Sequence, residues 1–393
     1  MSHSHGGAVC TGAHHDEEDH AVSDLELTPA NETVNNKYRS AAQIANDALK
    51  AVIGATVEGK SVTELCEFGD DFITVAASKL FKGTKMGKGI AMPTCISLNN
   101  CACHYSPLRS DPEILLKAGD VVKIDLGAHF DGYIATAGHT VTVGASAANK
   151  IKGKVADAMF AASQCLEAAT RMLKPDSTHT STDVNDKLMK ICESYGVTLV
   201  ENMVSHQLVQ NDIHGSKSIV QNPTEDQKSG VSKFYFEPYE VFALDILIST
   251  GTGKVKQGDA RTTVFKKNNT QYALKLKSSR LFFSEATAKF GSMPFTLRGV
   301  FEDEAKARVG VVECAKHQIM SPYPVLYEKE GETIVQLKAT VFVLPSGVSK
   351  IAGLPVDLSA YETEKSITDI DICALLKTSL KIKKEKKVEE VKA

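Results

Sequence analysis

The chain has 393 residues and a formal net charge of -3, long enough for two or three ordinary domains or one large one with a substantial core. Hydrophobic residues supply 42% and charged residues 24%, and no uninterrupted apolar run nears the roughly 18 residues of a membrane helix, which excludes a helical integral membrane protein. The segment 1–20 carries His, Gly and acids instead of a basic start and an apolar stretch, so no secretory signal is expected. Nine cysteines, scattered from Cys10 to Cys373, read as reduced thiols of a cytosolic or nuclear protein.

The charge is unevenly placed. Residues 1–36 hold seven acids and no Lys or Arg, a net of -7, while residues 377–393 hold seven lysines against three glutamates, a net of +4, around a neutral body. Segments this polar cannot bury a core. Residues 1–36 are therefore expected to form an acidic, His-rich disordered tail, and 361–393 a C-terminal helix running into a Lys-rich tail. Both tails suit electrostatic contact with partners, or simply solubility.

In chain order, Ala41, Ile44, Ala45, Ala48, Leu49 and Val52 predict a helix over 37–57, with Thr33 or Asn35 to cap it. Ser61 followed by Glu64 is a capping-box signature for a second helix, whose pattern fades over 81–89. Short extended runs broken by Pro93, Pro107 and Pro112 follow, and 121–130 and 133–143 read as a hairpin around Asp131-Gly132. Helices are predicted over 150–173 and 181–195. Strands follow at 219–221 and 240–249, then a Gly-rich turn (Gly251, Gly253, Gly258) leads into 261–265. Two helices at 278–290 and 302–318 and a final strand at 334–344 complete an α+β domain over 37–360.

Three charged residues interrupt strands that otherwise look buried: Asp125, Asp245 and Lys338. An unpaired charge there costs several kcal/mol, so each needs a partner, a metal or an exposed face. Asp245 has apolar neighbours on both sides. Asp125 shares its face with Lys123 and Gly127, which could equally be a solvent face. His104, His206 and His214 lie in the body near Pro- or Gly-bearing loops, whereas the histidines of the acidic tail have no fixed geometry for a metal. Cys101-Ala-Cys103-His104 is half a zinc site without its second half. Gly251-Thr-Gly-Lys254 lacks the first Gly and the following Ser or Thr of a phosphate loop.

The stretches Gly89-Ile-Ala-Met-Pro-Thr94, Leu98-Asn-Asn-Cys-Ala-Cys-His-Tyr-Ser-Pro-Leu108, Lys123-Ile-Asp-Leu-Gly127, Ser205-His-Gln-Leu208, Met293-Pro-Phe-Thr-Leu-Arg298 and Gly310-Val-Val-Glu-Cys-Ala-Lys-His317 resemble the eukaryotic proliferation-associated proteins. That family includes a 42 kDa curved-DNA-binding protein and is related to type II methionine aminopeptidase. The resemblance covers about 37–380 and implies a pita-bread fold, with a helical type II insertion at about 278–320.

It also implies a degenerate metal site. Of the aminopeptidase's five ligands, the first Asp is kept as Asp125 and the His as His206. The second Asp falls on Thr136, the first Glu on Asp245 and the last Glu on Lys338; His104 and His214 match pocket histidines. Charge arithmetic agrees: Asp125, Asp245 and Lys338 together carry -1, and an ammonium about 4 Å from a dication is repelled by roughly 8 kcal/mol even at an effective dielectric of 20. Lys338 is expected to occupy the metal position and to pair with Asp125, Asp245 or both, leaving no cofactor and no hydrolase.

The resemblance further implies a protein of nucleus, nucleolus and cytoplasm that binds large ribosomal subunits, ribosomal RNA, and structured RNA or DNA. Lys377, Lys381, Lys383, Lys384, Lys386 and Lys387 would supply sequence-independent phosphate contacts. Lys254, Lys256, Lys266, Lys267, Lys275 and Lys277 offer a second basic surface. Ile372, Leu375 and Leu376 share one helical face, a spacing suited to a coregulator groove or to packing on the chain's own domain. Two other readings stand beside this one: a peptidase with one metal on Asp125, His206 and Asp245, and a transcriptional or signalling scaffold.

Overall fold

The computed structural model describes residues 24–382. A short 3-10 turn, Asp24–Leu27, precedes α1 (Glu32–Ala55), whose cap is Asn31: its side chain accepts from the Thr33 and Val34 amides. The helix thus starts ahead of 37, and of the acidic segment expected to be disordered to 36, residues 24–36 are folded while 1–23 lie outside the described residues. Val34 and Tyr38 explain this, because both are buried and anchor the first turns. α2 (Val62–Lys79) begins at Ser61 as expected, but without the capping box. The Ser61 hydroxyl is buried without a hydrogen-bond partner, and Glu64 turns outward to Lys60.

The strands and helices that follow are β1 (Lys88–Leu98), β2 (Cys101–Cys103), β3 (Val121–Phe130), β4 (Tyr133–Thr142), α3 (Lys154–Met172), α4 (Ser181–Tyr195), β5 (Thr198–Leu199), β6 (Val204–Gln207), β7 (Ser218–Val220), α5 (Glu225–Lys228) and β8 (Val241–Ser249). The remainder comprises β9 (Lys256–Gln257), β10 (Val264–Lys267), α6 (Lys277–Phe290), β11 (Phe295–Thr296), α7 (Glu304–Lys316), β12 (Met320–Tyr323), β13 (Leu326–Tyr327), β14 (Ile334–Leu344), β15 (Gly347–Ala352) and α8 (Ile370–Lys377). The strand at 334–344 is therefore not the last, since β15 folds back on it.

The main sheet has nine strands in the order β1-β3-β4-β14-β8-β6-β7, with β15 added to β14 and β5 to β8. Period-2 alternation divides its faces. Ile124, Leu126 and Ala137 face α1 and α2 in one core cluster. Leu244, Ile246, Leu337 and Ala339 face α3 and α4 in another. Each half of the sheet is thus covered by its own helix pair, as the pita-bread fold requires, and the opposite face is left to a pocket. α6 and α7 pack on each other around Phe282, Phe295 and Ile319, beside a small sheet of order β11-β10-β12. Arg298 fastens this unit to α2: its guanidinium, 3% exposed, donates to Asp70 at 2.9 Å and to the Pro107 carbonyl at 2.6 Å.

At the C-terminus the structure corrects the docking expectation. Ile372 is fully buried in the α3–α4 core, with Leu375 and Leu376 packed against it, so this apolar face of α8 is committed to its own domain and is not free for a coregulator groove. Residues 380–382 then pair with the β14–β15 turn, through Val348 N to Leu380 O at 3.0 Å and Ile382 N to Ser346 O at 2.9 Å. Residue 360 is accordingly no boundary. All eight described cysteines are free, and no described helix is long and apolar enough to cross a membrane.

Truncating a fully buried aliphatic leaves a cavity. Ile372→Ala is expected to destabilise the chain by about 2–4 kcal/mol in guanidinium unfolding, with a smaller loss for Leu376→Ala. Equal midpoints for Ile372→Ala and the parent would place α8 off the core.

Candidate functional site

Four central strands bring the interrupting charges into one row. Asp125 on β3 is opposite Gly138 on β4, Gly138 is opposite Lys338 on β14, and Lys338 is opposite Asp245 on β8. Gly138 makes the row possible: a Cβ there would lie 2.9 Å from the Lys338 Cβ, and without it the lysine stem crosses the strand. Lys338 Nζ donates to Asp125 Oδ2 at 2.6 Å and to Asp245 Oδ2 at 2.9 Å. The three side chains are only 12%, 6% and 17% exposed.

The face shared by Asp125 and Lys123 is not a solvent face. Lys123 is 1% exposed, its ammonium donates to the Asn99 carbonyl at 2.8 Å, and burial pushes its pKa down to about 7. For Lys338, burial alone would favour the neutral amine, but Asp125 and Asp245 outweigh it and raise its pKa above the ordinary lysine value. Asp245 is raised, by burial first and then by the like charge of Asp125. One cation between two carboxylates leaves a buried net charge of -1, and the surplus falls on Asp245. Gln336 relieves it, donating to Asp245 Oδ1 at 2.8 Å. The Asp245 backbone is held by Ser205 Oγ, which accepts from its amide at 2.9 Å, and by Gln221, which donates to its carbonyl.

Beside this row lies a cavity of about 400 Å³ whose lining includes Thr136, His104, His206, His214, Tyr323 and Lys266. His206 and His214 are 4.4 Å apart between ring centroids. His104 meets Tyr323 edge-on at 5.0 Å, and the Tyr323 hydroxyl is 3.3 Å from His214 Nε2. His104 has a φ of +64° and its Nδ1 lies 3.3 Å from the Pro324 carbonyl. Since only an N–H can bond there, the other ring nitrogen is the acceptor. Burial lowers the three imidazoles to about 4 (His104), about 3 (His206) and about 4 (His214), so all are neutral at physiological pH. Of the second basic set, Lys266 pairs with Asp212 at 2.6 Å, while the others spread over β9, β10 and α6 and the adjoining loops.

The residues present do not fit a divalent metal pair. Two carboxylates remain, and both are engaged by the Lys338 ammonium. Thr136, whose hydroxyl is buried without a partner, offers no anionic oxygen. Among the described residues no group of three or more His, Cys, Asp or Glu side chains is arranged to hold a metal. Sequence reasoning brought Asp125, Asp245, Lys338 and the three histidines to the site but missed Gln336, Gln221 and Tyr323. Gln336 was recoverable, being two residues before Lys338 and thus on its face; Tyr323 carries no local signal.

The profile of metallopeptidase family M24 matches residues 36–263. The chain belongs to that family. Within it, proliferation-associated protein A of Dictyostelium discoideum is 42% identical, with 93% of this chain and 92% of that protein covered. The curved DNA-binding protein of Schizosaccharomyces pombe is 38% identical, covering 92% and 94%. Together these place the chain in the proliferation-associated branch. The solved structure of a thermophilic Arx1 superposes with a TM-score of 0.83 at 31% identity, covering 89% of this chain and 99% of that one. A methionine aminopeptidase from Thermotoga maritima, at 17% identity and a TM-score of 0.53 over 81% and 96%, shares the pita-bread fold.

Two predictions follow from the charges. Lys338→Met strands two buried carboxylates and should cost about 3–5 kcal/mol in denaturant unfolding, whereas the triple variant Asp125→Asn, Lys338→Met, Asp245→Asn should recover most of that. The pH dependence follows from the histidines. In the unfolded chain an imidazole titrates near 6.5, while in the folded chain His104, His206 and His214, with His129 and His139, titrate near 3–4. Between these values the unfolded state binds more protons. Stability is then complete above about pH 6.5 and falls as the pH drops toward 4, and His206→Gln with His214→Gln should flatten that slope.

Proposed function

We propose that this protein is a catalytically inactive member of its family, acting in growth and ribosome biogenesis by binding nucleic acid and large ribosomal subunits. One observation carries the loss of catalysis: the Lys338 ammonium sits 2.6 and 2.9 Å from the carboxylates of Asp125 and Asp245. On this reading Lys338 stands in the former metal position, with Thr136, His206 and Asp245 as remnants of the ligand set. A dication entering beside the ammonium would meet repulsion of roughly 8 kcal/mol at 4 Å. Without a metal-activated water, the hydrolytic step has no nucleophile generator.

Two relatives support the rest of the reading by name, one as associated with proliferation and one as binding curved DNA. The binding term proposed for this chain is the C-terminal charge. Lys377 and Lys381 are exposed; Lys383, Lys384, Lys386 and Lys387 lie outside the described residues. A run of lysines neutralises phosphates without reading sequence, so affinity should fall steeply with salt. A distribution between nucleus, nucleolus and cytoplasm accompanies this reading.

Co-sedimentation with purified large ribosomal subunits over a salt series tests it, comparing the full chain with one ending at Ile382. That endpoint keeps the pairing of 380–382 with the β14–β15 turn. Saturable binding by the full chain is expected, with a shallower salt slope and weaker binding for the shortened one. Neither should hydrolyse Met-Ala-Ser when cobalt or manganese is added. Absence of pelleting at physiological salt, or metal-dependent hydrolysis, would overturn the proposal.

A further inference from the structure

The α6–α7 unit carries exposed apolar side chains on its outer surface that no described element covers. The two helices run antiparallel and in close contact, because Gly310 presents no side chain where a Cβ would meet the Phe282 Cβ at 2.4 Å. Leu276 and Leu281 on one side, and Val309 and Val312 on the other, are 54%, 51%, 59% and 62% exposed. Glu313, whose carboxylate accepts from the Leu276 amide at 3.0 Å, brings Leu276 to the Val312 turn of α7. Leu281 and Val309 lie one turn further along, lining a groove of about 450 Å³ with Phe301, Ala305, Lys277, Lys306 and Asp303. Exposed aliphatic side chains gathered at a groove, with no described element over them, mark a surface suited to a partner.

Among the exposed charges around the groove, Lys and Arg outnumber the acids Glu302 and Asp303. The acids of these helices are largely turned inward onto main-chain amides: Glu304 accepts from Arg109 N and Ser110 N, and Glu313 from Lys275 N and Leu276 N. Both are buried. Lys275, Lys277, Arg280 and Lys316 point outward, and Lys306, 69% exposed, has only the N-capping Asp303 near it, at 3.8 Å. An aliphatic floor with a cationic rim is complementary to an amphipathic helix whose apolar face is flanked by Asp and Glu.

We propose that the α6–α7 groove is a docking site for an acidic amphipathic helix of a partner protein, separate from the nucleic-acid contacts assigned to the C-terminal lysines. A second copy of this chain is the wrong occupant, because its identical cationic rim would face this one. Nucleic acid matches the rim better than the floor: the exposed Leu281 and Val309 are aliphatic, and half-buried Phe301 is the single aromatic side chain lining the groove.

The test uses the full chain and a synthetic helical peptide of roughly 18 residues, with Leu at i, i+3, i+4 and i+7 and Glu along both flanks. Fluorescence anisotropy should show saturable binding, with amide-exchange protection gained over 276–281 and 305–312. A peptide with Lys in place of Glu should bind at least about tenfold more weakly. Leu281→Ser with Val309→Ser should abolish binding while keeping the unfolding midpoint, since both side chains are exposed. Lys277→Glu with Lys306→Glu should shift preference to the Lys peptide. The proposal falls if the acidic peptide does not bind, or if it binds both double variants as it binds the parent. It also falls if single-stranded RNA protects the same amides, or if the parent self-associates in sedimentation velocity and the Ser variant does not.

Discussion

The ion row Asp125–Lys338–Asp245 constrains the rest of the fold through register. It exists because four strands remote in sequence place residues 125, 138, 338 and 245 exactly opposite one another. A slip of one residue in any of them would turn its side chain to the helix face. There Ile124, Leu337 and Leu244 already fill the cores beneath the two helix pairs. The hydrophobic face therefore sets the register, and the register delivers the ammonium to both carboxylates. Gly138 is the one position in the row that must lack a side chain.

What this leaves behind is a pocket of distinct chemistry. Three neutral imidazoles, a tyrosine and a single surplus negative charge line it, and Lys266 is neutralised by Asp212. Such a lining can donate and accept hydrogen bonds, but no anionic cluster remains for a dication. In the α6–α7 unit the buried Glu304 and Glu313 are likewise engaged, each carboxylate accepting from main-chain amides.

The elements with strong periodicity were legible from the chain alone: the 121–130 and 133–143 hairpin, the helices at 181–195 and 278–290, and the strand at 334–344 all stand within a few residues of expectation. So were the residues of the row, because a charge inside an apolar strand demands an explanation wherever it lies. Cap chemistry was less so. Ser61 and Glu64 have the right spacing, yet Lys60 draws Glu64 outward, a competition that spacing does not encode. Lys123 stayed open for a related reason: alternation alone allowed it a solvent face, while the Asn99 carbonyl, in the turn between β1 and β2, accepts its ammonium inside. The face of α8 could be read either as a docking motif or as packing, and tertiary contact with α3 and α4 decided for packing.

The choice of lysine at 338 has a physical logic that a merely inert pocket would not require. With an aspartate on each side of it in the row, an apolar residue would leave both carboxylates buried and unpaired, which costs more than the pair returns. An arginine presents a rigid planar fork suited to one carboxylate edge-on, whereas the ammonium is a compact donor with three hydrogens, able to serve two acceptors from opposite sides. Its flexible stem passes over Gly138 to reach them. Lysine thus pairs with both aspartates and ties β3 and β8 to β14.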